Sequence, residues 1–244
     1  MQIMRSLKTA IVWVVIVTGF VGFVPSEAAT YYVSQSEGND EWAGTAARPS
    51  GEIGPWKTLA KASTVKLSPG DQLLLKRGDT WNEALAPTGN GTPVNPIVIG
   101  AYGEGDRPVI DREDDKLDRV GIQLSDQEGF KIVGLEFNRC MTGIYARYDV
   151  GCPTKKFIWI KDCYFHDSLM YGNYKTYPKP RNIGLGICFF SYERDNRVVL
   201  QDITIKNCVF RRLASGVWTN SPDNFNKKAS YVYNFANMTM EDCL

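Results

Sequence analysis

Histidine is nearly absent from this sequence of 244 residues, and its net charge is close to zero. His166 is the only histidine, which excludes metal centres built on several histidines and weakens any serine–histidine triad. The formal net charge is +1, so the chain lacks the basic field of a nucleic-acid-binding protein and the strong charge of a protein that adsorbs to membranes. We expect no nucleic-acid partner and no membrane contact beyond export; the oligomeric state stays open.

Long hydrophobic runs are missing too, with one exception near the N-terminus. Arg5 and Lys8 precede an apolar run that ends at a proline, and small residues follow up to Ala28. This order is typical of a secretory signal peptide, and the run is short for a membrane span, which needs about 20 residues. We predict a signal peptide over 1–28, with cleavage after Ala28 or, alternatively, one residue later; an uncleaved anchor is the other interpretation. In either case 29–244 is exported to the periplasm, the cell surface or the medium.

The second half of the chain repeats a short strand-like motif at irregular intervals. The four copies are 130–137, 158–165, 203–210 and the truncated 238–244. One column of the alignment holds Ile132, Ile160, Ile205 and Met240. A second column holds Leu135, Cys163, Cys208 and Cys243, and a third holds Phe137, Phe165 and Phe210.

The spacing within each motif predicts strands that wind into coils. Apolar residues alternate with polar ones, which indicates strands with one buried face. A constant motif with variable gaps indicates one coil per repeat, with the insertions in loops. A polar residue turns the chain inside the motif (Asp162, Asn207 and Asp242), because Asn and Asp tolerate left-handed backbone. Equivalent residues would then stack about 4.8 Å apart.

These repeats resemble those of the right-handed parallel β-helix proteins of the pectin-lyase-like superfamily. The motif 203–210, followed by Gly216-Val217, looks like their repeat. The N-terminal part is similar to the start of many secreted bacterial β-helix proteins, in the segments 55–59, 69–71 and 95–103. The resemblance implies an all-β fold, a right-handed parallel β-helix with a short N-terminal capping helix.

Within that fold we expect one β-helix domain over 29–244. Its N-terminal cap would cover about 30–70 and contain a helix over Trp56–Lys66, and its coils would cover about 71–244. The last coil stops midway through a motif, so we expect the domain to be C-terminally incomplete and the chain to be a fragment of a longer protein.

Six cysteines and an exported location make disulfides an option, although no C-x-x-C pair is present. The column of Cys163, Cys208 and Cys243 is interpreted as a free interior stack, since buried cysteine behaves as a small hydrophobe. A disulfide between neighbouring coils is the alternative. Cys140 paired with Cys152 or Cys188 is a separate disulfide hypothesis.

The resemblance also implies where a substrate would lie, namely across one parallel sheet. That sheet would consist of the strands after Gly121, Gly143, Gly186 and Gly216. The candidate substrate-binding residues on its outer face and on the adjoining insertion are Tyr145, Arg147, Phe190, Trp218, Asn220, Tyr174 and Lys175. Flat aromatic rings edged by hydrogen-bonding groups suit the apolar faces of sugars, whereas loops that cover these rings would make them a secondary core.

Charged residues at one edge of that sheet are the candidates for catalysis. They are Asp149, Glu193, Arg194 and Asp195, with Asp223 further along. Hydrolysis of a glycosidic bond needs two carboxylates, and uronate elimination needs a base and a positive charge or a calcium ion. For each of these residues alone, a solvated surface charge is the more common interpretation. His166 is either a general acid or base or a structural hydrogen-bonding group.

Calcium is the one cofactor that the sequence suggests, and no metal ligand set is assigned. The dense acidic loop 111–118 lacks the spacing of an EF-hand, and a solvated loop is its default interpretation. Together these features predict a secreted β-helix protein that acts on or binds polysaccharide, as a polysaccharide lyase or a glycoside hydrolase. The alternative is a non-catalytic carbohydrate-binding or adhesive module of the same fold.

Overall fold

The computed structural model describes residues 27–112, 119–168, 184–193, 197–220 and 235–244. All but the last two residues of the predicted signal peptide therefore lie outside the described part. Among the described residues, no helix combines the length and the hydrophobicity that crossing a membrane requires.

The described chain consists of β-strands and one short helix, α1, which spans Leu59–Ala62. The strands of the first half are β1 Thr30–Val33, β2 Lys66–Leu67, β3 Gln72–Lys76, β4 Thr80–Trp81, β5 Thr88–Gly89, β6 Ile97–Tyr102, β7 Val109–Asp111 and β8 Val120–Ser125. The strands of the second half are β9 Phe130–Val133, β10 Glu136–Asn138, β11 Thr142–Tyr148, β12 Lys155–Lys161, β13 Tyr164–His166, β14 Leu185–Ser191, β15 Leu200–Lys206, β16 Val209–Arg211, β17 Ser215–Asn220 and β18 Phe235–Glu241.

Three parallel sheets form the walls of a solenoid. The seven-stranded sheet has the order β1-β3-β6-β9-β12-β15-β18, the five-stranded sheet β16-β13-β10-β7-β4, and the four-stranded sheet β17-β14-β11-β8. Each complete coil contributes one strand to each sheet, as β9, β10 and β11 do. Connections between parallel strands of one sheet are right-handed in about 98% of cases. The right-handed parallel β-helix expected from the sequence is confirmed.

The predicted columns are confirmed residue by residue. Ile160 pairs with Ile132 on one side and with Ile205 on the other, and Ile205 pairs with Met240. The rings of Phe137 and Phe165 stack with centroids 4.8 Å apart, and those of Phe165 and Phe210 with centroids 5.1 Å apart. The core is therefore a set of parallel stacks along the solenoid axis.

The corner between the first and second strand of each coil has the left-handed backbone that the polar residues predict. Asp162, Asn207 and Asp242 have φ values of 55°, 51° and 51°. In the coil before them this corner is Gly134, with φ of 72°. The Asn207 side-chain amide donates a hydrogen bond of 3.1 Å to the Asp162 carboxylate one coil earlier. Stacked amide and carboxylate groups therefore offset part of the cost of the left-handed conformation.

All six cysteines are free, which confirms the free stack and shows that both disulfide hypotheses are wrong. Cys163 and Cys208 point into the core, where their S–H groups face backbone carbonyls. Cys140 lies in another interior position, and its S–H faces the carbonyl oxygens of Ile110 and Asn138. Cys188 instead pairs with Tyr145 in the four-stranded sheet. Cys140 and Cys188 thus belong to different columns. Burial raises the pKa of the Cys140 thiol to about 12.

The capping helix exists, but it is shorter than the predicted Trp56–Lys66. Trp56 is bound to the first strand, because its backbone N–H donates a hydrogen bond of 2.8 Å to the carbonyl oxygen of Tyr32. The Thr58 hydroxyl caps the N-terminus by accepting from Lys61 N. Ser63 ends the helix, and its hydroxyl donates to the Leu59 carbonyl oxygen. Lys66 then pairs with Thr88 as part of strand β2. Pairing with neighbouring strands therefore keeps the residues before and after α1 out of the helix, although their apolar spacing is helical.

Within the described residues, β1 and β18 are the outermost strands of the seven-stranded sheet. At the N-terminal end β1 pairs in parallel with β3, so the first strand of the predicted cap is itself part of the sheet. On the other side lies β18, where Met240 is 50% exposed, and Leu244 after the strand is 86% exposed. The domain limits stay a prediction.

The glycine of each repeat lets the third strand pass close to the phenylalanine stack. A Cβ atom on Gly121, Gly143 or Gly186 would lie 2.6–2.7 Å from a ring carbon of Phe137, Phe165 or Phe210, respectively. The same Cβ would lie 2.5–2.7 Å from the carbonyl oxygen of the glycine one coil further on. The glycine therefore sets the distance between the five-stranded and four-stranded sheets.

We expect Gly143→Ala to lower the free energy of unfolding by about 1–3 kcal/mol, because overpacking displaces the Phe165 ring and the strand of the next coil. Denaturant titration of the exported protein measures this change. The matched control is Phe165→Leu combined with Gly143→Ala, where the smaller side chain should restore part of the lost stability. Two strictly additive losses would contradict the proposed contact.

Candidate functional site

The four-stranded sheet has the register that the sequence predicts. Its inward column is Ile122, Ile144, Ile187 and Val217. The next column, on the outer face, is Gln123, Tyr145, Cys188 and Trp218, and the one after it is Ser125, Arg147, Phe190 and Asn220. Residues up to 95 positions apart in the chain, as counted from Gln123 to Trp218, thus share one surface.

A groove of about 590 Å³ runs over this sheet, and we call it the aromatic groove. Its lining residues are Ala84, Arg112, Val120, Gln123, Met141, Thr142, Tyr145, Arg147, Leu185, Cys188, Phe190, Tyr192 and Trp218. Tyr145 and Phe190 lie 6.4 Å apart between ring centroids, and Phe190 and Tyr192 lie 4.7 Å apart. Trp218 and Tyr192 are each 40% exposed, so a ligand in the groove would reach their rings.

Arg147 supplies positive charge to the aromatic groove. One of its terminal nitrogens donates to both carboxylate oxygens of Asp149, at 3.0 and 2.9 Å. This hydrogen bonding raises the pKa of the guanidinium further above its usual value. The guanidinium carbon also lies 5.6 Å from the centre of the Tyr192 ring. The Nε atom of Arg147 is buried and has no partner among the described residues, so the side chain keeps one unused donor.

Asp149 lies at the rim of the groove and does not line it. Its side chain is 49% exposed, and Arg147 holds it in place. Its backbone N–H donates to Asp126 Oδ1 at 2.8 Å, which fixes the turn after β11. A carboxylate fixed in this way suits either proton transfer or the support of Arg147, and its predicted catalytic role stays a prediction.

Tyr145 occupies the middle of the groove as a neutral hydroxyl. Burial raises its pKa to about 12, because the protein interior disfavours the charged phenolate. At neutral pH the side chain is therefore a hydrogen-bonding group and not a base. This chemistry fits the predicted role in binding.

Glu193 lies outside the groove lining and links two loops. It is 6% exposed, and its Oε2 atom accepts from the Gly151 N–H and from Arg197. Arg197 also donates to the Cys152 carbonyl oxygen at 2.6 Å. This carboxylate therefore ties the turn after β11 to the segment that leads into β15. The contacts favour a structural role, and catalysis by Glu193 stays a prediction.

The remaining candidates fall on parts of the chain that the structure does not describe. Arg194, Asp195, Tyr174, Lys175 and Asp223 lie outside the described residues, and so does the side chain of Asn220, although its backbone belongs to β17. Of the seven candidate binding residues, the structure brings Tyr145, Arg147, Phe190 and Trp218 together.

Sequence reasoning missed part of the groove and the depression next to it. Arg112 lines the groove, but in the sequence it stands inside an acidic run and gives no signal of binding. A second depression of about 290 Å³ shares Gln123 with the groove and is lined by 86–90 and 125–127. Gln127 shapes it by donating to the Pro87 carbonyl oxygen at 2.7 Å. The joint surface is thus aromatic at one end and polar at the other.

His166 lies on the five-stranded sheet, away from the groove lining. Its Nδ1 atom is 2.7 Å from Asp167 Oδ2, and its Nε2 atom is 2.9 Å from Glu136 Oε1. The ring stacks on Tyr164, with centroids 4.3 Å apart. Both ring nitrogens are therefore engaged by carboxylates, which supports the structural interpretation of this histidine.

No group of three or more His, Cys, Asp or Glu side chains that could hold a metal ion occurs in the described ranges. Residues 113–118 of the acidic loop lie outside those ranges. Asp111, which precedes them, binds Arg139 and Asn138 instead. Calcium stays a prediction without an assigned site.

The ion pair between Asp167 and Arg212 predicts a dependence of stability on acid pH. Hydrogen bonding to Arg212 lowers the pKa of Asp167 from 3.8 to about 2. A carboxyl group with a depressed pKa in the folded state stabilises the protein above its unfolded pKa, and this contribution is lost as the pH falls through the folded pKa.

We therefore expect Asp167→Asn to lower the thermal midpoint at pH 6, and the difference from wild type to shrink between about pH 4 and pH 2. Arg212→Gln should give the same profile, and the double variant should lose less than the sum of the two. A difference that stays constant down to pH 2 would show that the ion pair does not carry the effect.

Comparison with known proteins gives the fold and a partial sequence match. No protein-family model matches the chain. The chain is 40% identical over 91 residues to a lacto-N-biosidase from Bifidobacterium longum subsp. longum, a match that covers 35% of this chain and 5% of that protein. The chain thus spans only a small part of this curated relative.

Two solved structures resemble most of the chain. A GH136 lacto-N-biosidase from Eubacterium ramulus matches with a TM-score of 0.65 and 24% identity, over 88% of this chain and 41% of that chain. A rhamnogalacturonan lyase matches with a TM-score of 0.52 and 17% identity, over 88% of this chain and 51% of that chain. At these identities the likeness concerns the fold alone, and the chain has the parallel β-helix fold found in both a glycoside hydrolase and a polysaccharide lyase.

Proposed function

We propose that the aromatic groove binds a carbohydrate chain and that the protein is a secreted carbohydrate-active enzyme. The observation that carries this proposal is the set of four rings, Tyr145, Phe190, Tyr192 and Trp218, gathered on one face. Sugars present apolar C–H faces and a rim of hydroxyl groups. Aromatic rings beside fixed polar groups match both properties.

The polar groups of the surface support the same function. Arg147 brings its guanidinium group to the groove lining, Tyr145 keeps its hydroxyl proton, and Gln123 joins the groove to the polar depression. The wall of the β-helix fixes all three residues. Tyr145 and Arg147 belong to β11, which is paired on both sides, and Gln123 belongs to the neighbouring strand β8. Pre-organised donors of this kind give orientation to a bound sugar.

Hydrolysis of a glycosidic bond is the reaction we favour, because the sequence match is to a lacto-N-biosidase. Asp149 would be one of the two carboxylates that this chemistry needs. The second would come from Glu193 or Asp195. In the elimination alternative, Arg147 would stabilise the anion formed when a base removes the proton beside a uronate carboxylate.

A second candidate function is binding without cleavage. The described residues that line the groove include no aspartate and no glutamate. A non-catalytic carbohydrate-binding module would need only the rings and the neutral polar groups. The two candidates share the binding surface and differ in whether a bond is broken.

The test is a panel of neutral oligosaccharides and uronate polysaccharides incubated with the full exported chain. We expect new reducing ends without ultraviolet-absorbing unsaturated ends, as hydrolysis requires. Unsaturated ends would favour elimination, and saturable binding with unchanged sugars would favour the non-catalytic module. Neither binding nor cleavage across the panel would contradict the proposal.

The groove itself is tested by Trp218→Ala, which should weaken binding of the best ligand about tenfold, because one stacking ring is lost. The matched control is Trp159→Ala. Trp159 is also on a sheet of the solenoid, but its ring faces Lys131 on the seven-stranded sheet. Equal losses in the two variants, measured by calorimetry, would show that the ligand does not bind in the aromatic groove.

A further inference from the structure

Asp71 is a buried carboxylate beside the point where the predicted signal peptide ends. It is 5% exposed. Its Oδ1 atom accepts a hydrogen bond from the backbone nitrogen of Ala29 at 2.8 Å, and its Oδ2 atom accepts from Ser68 N at 2.8 Å. In the uncleaved chain both donors are neutral amides.

A buried carboxylate normally has a positively charged partner, because removing the charge from water is costly. Within the described residues, no lysine, arginine or histidine forms an ion pair with Asp71, although ion pairs occur at many other carboxylates. In the uncleaved chain the described residues therefore give the Asp71 carboxylate hydrogen bonds from backbone amides but no ion-pair partner.

Signal-peptide cleavage after Ala28 would supply that charge. Water adds across the Ala28–Ala29 peptide bond: the C–N bond breaks, the Ala28 carbonyl carbon takes the hydroxyl group, and the Ala29 nitrogen takes the hydrogen. At neutral pH the new acid releases a proton, and the new α-amine is largely protonated. The nitrogen that becomes an ammonium group is the atom that already lies 2.8 Å from Asp71.

We infer that Asp71 is the receptor for the α-ammonium group of Ala29 in the exported protein. The ion pair locks the first strand of the β-helix to the second strand of the same sheet. This inference concerns processing and assembly, so it stands or falls independently of the proposed carbohydrate function.

The receptor is a built site, because a tight turn presents the carboxylate. Asp71 N donates to the Ser68 carbonyl oxygen at 3.0 Å, and Gly70 between them has φ of 92°. The carbonyl oxygen of Asp71 in turn accepts from Val98 N in the next coil. Backbone hydrogen bonds thus hold the residue from both sides.

The same contacts distinguish between the two cleavage positions that the sequence leaves open. Ala29 gives Asp71 its hydrogen bond, and its carbonyl oxygen accepts from Gln72 N at 2.8 Å. Cleavage one residue later would remove both groups. Only a mature chain that begins at Ala29 keeps both contacts, and cleavage after Ala28 also places Ser26 and Ala28 as the small residues that a signal peptidase needs.

The first test is the N-terminus of the full chain after expression in an exporting bacterium. Mass spectrometry of the purified protein should give a chain that begins at Ala29. A chain that begins at Thr30, or one that retains residues before Ala29, would overturn the inference.

The second test compares Asp71→Asn with Asp106→Asn, a change at an exposed aspartate. We expect the Asp71 variant to lose about 5 °C in thermal midpoint, since the ammonium group of Ala29 loses its carboxylate partner, and the Asp106 variant to match the wild type. Equal midpoints for all three proteins would refute the ion pair.

A third measurement needs no variant and holds even if Asp71→Asn fails to fold. An amine-acylating reagent near pH 7 modifies α-amines ahead of lysines, because lysines stay protonated. The α-amine of the native protein should react at least about tenfold more slowly than that of the unfolded protein, since Asp71 holds it as an ammonium. Equal rates in the two states would mean that the N-terminus is not held by Asp71.

Discussion

Parallel pairing in register between successive coils is the constraint on which this protein depends. Because each coil repeats the path of the one before it, a residue packs against its counterpart one coil away. The Phe165 ring thus lies between those of Phe137 and Phe210. A one-residue slip would turn a whole strand inside out, so the apolar stacks and the backbone pairing enforce each other.

The corners of the coils satisfy the same constraint with unusual backbone conformations. Left-handed residues themselves form columns, such as Asp162, Asn207 and Asp242. A second corner column, Arg139, Asp167 and Arg212, is also left-handed, and there Arg212 binds the Asp167 carboxylate. The left-handed backbone conformation costs roughly 1–2 kcal/mol for each non-glycine residue that adopts it. Side-chain bonds between neighbouring coils offset part of that cost, so the corners hold the angles between the sheets.

The candidate site follows from this regularity. A flat, rigid wall lines up outward residues of consecutive coils, so Tyr145, Phe190 and Trp218 converge without being close in the chain. The wall supplies the rings and the charge of Arg147, and the loop that follows β11 supplies Asp149, which binds Arg147. Such a division suits binding of an extended ligand, because the scaffold does not need to rearrange when the ligand arrives.

The sequence by itself determined the fold class, the apolar columns, the turn residues and the register of the four-stranded sheet. It could do so because the period-two pattern and the left-handed turn chemistry are local, and repetition makes them visible. Tertiary structure alone decided where the capping helix ends, since pairing of Lys66 with Thr88 overrides the helical spacing. It also decided that Arg112 joins the groove, that Glu193 ties two loops together, and that Asp71 meets Ala29. These contacts join positions that no local pattern relates, because the winding of the chain and not its order brings them together.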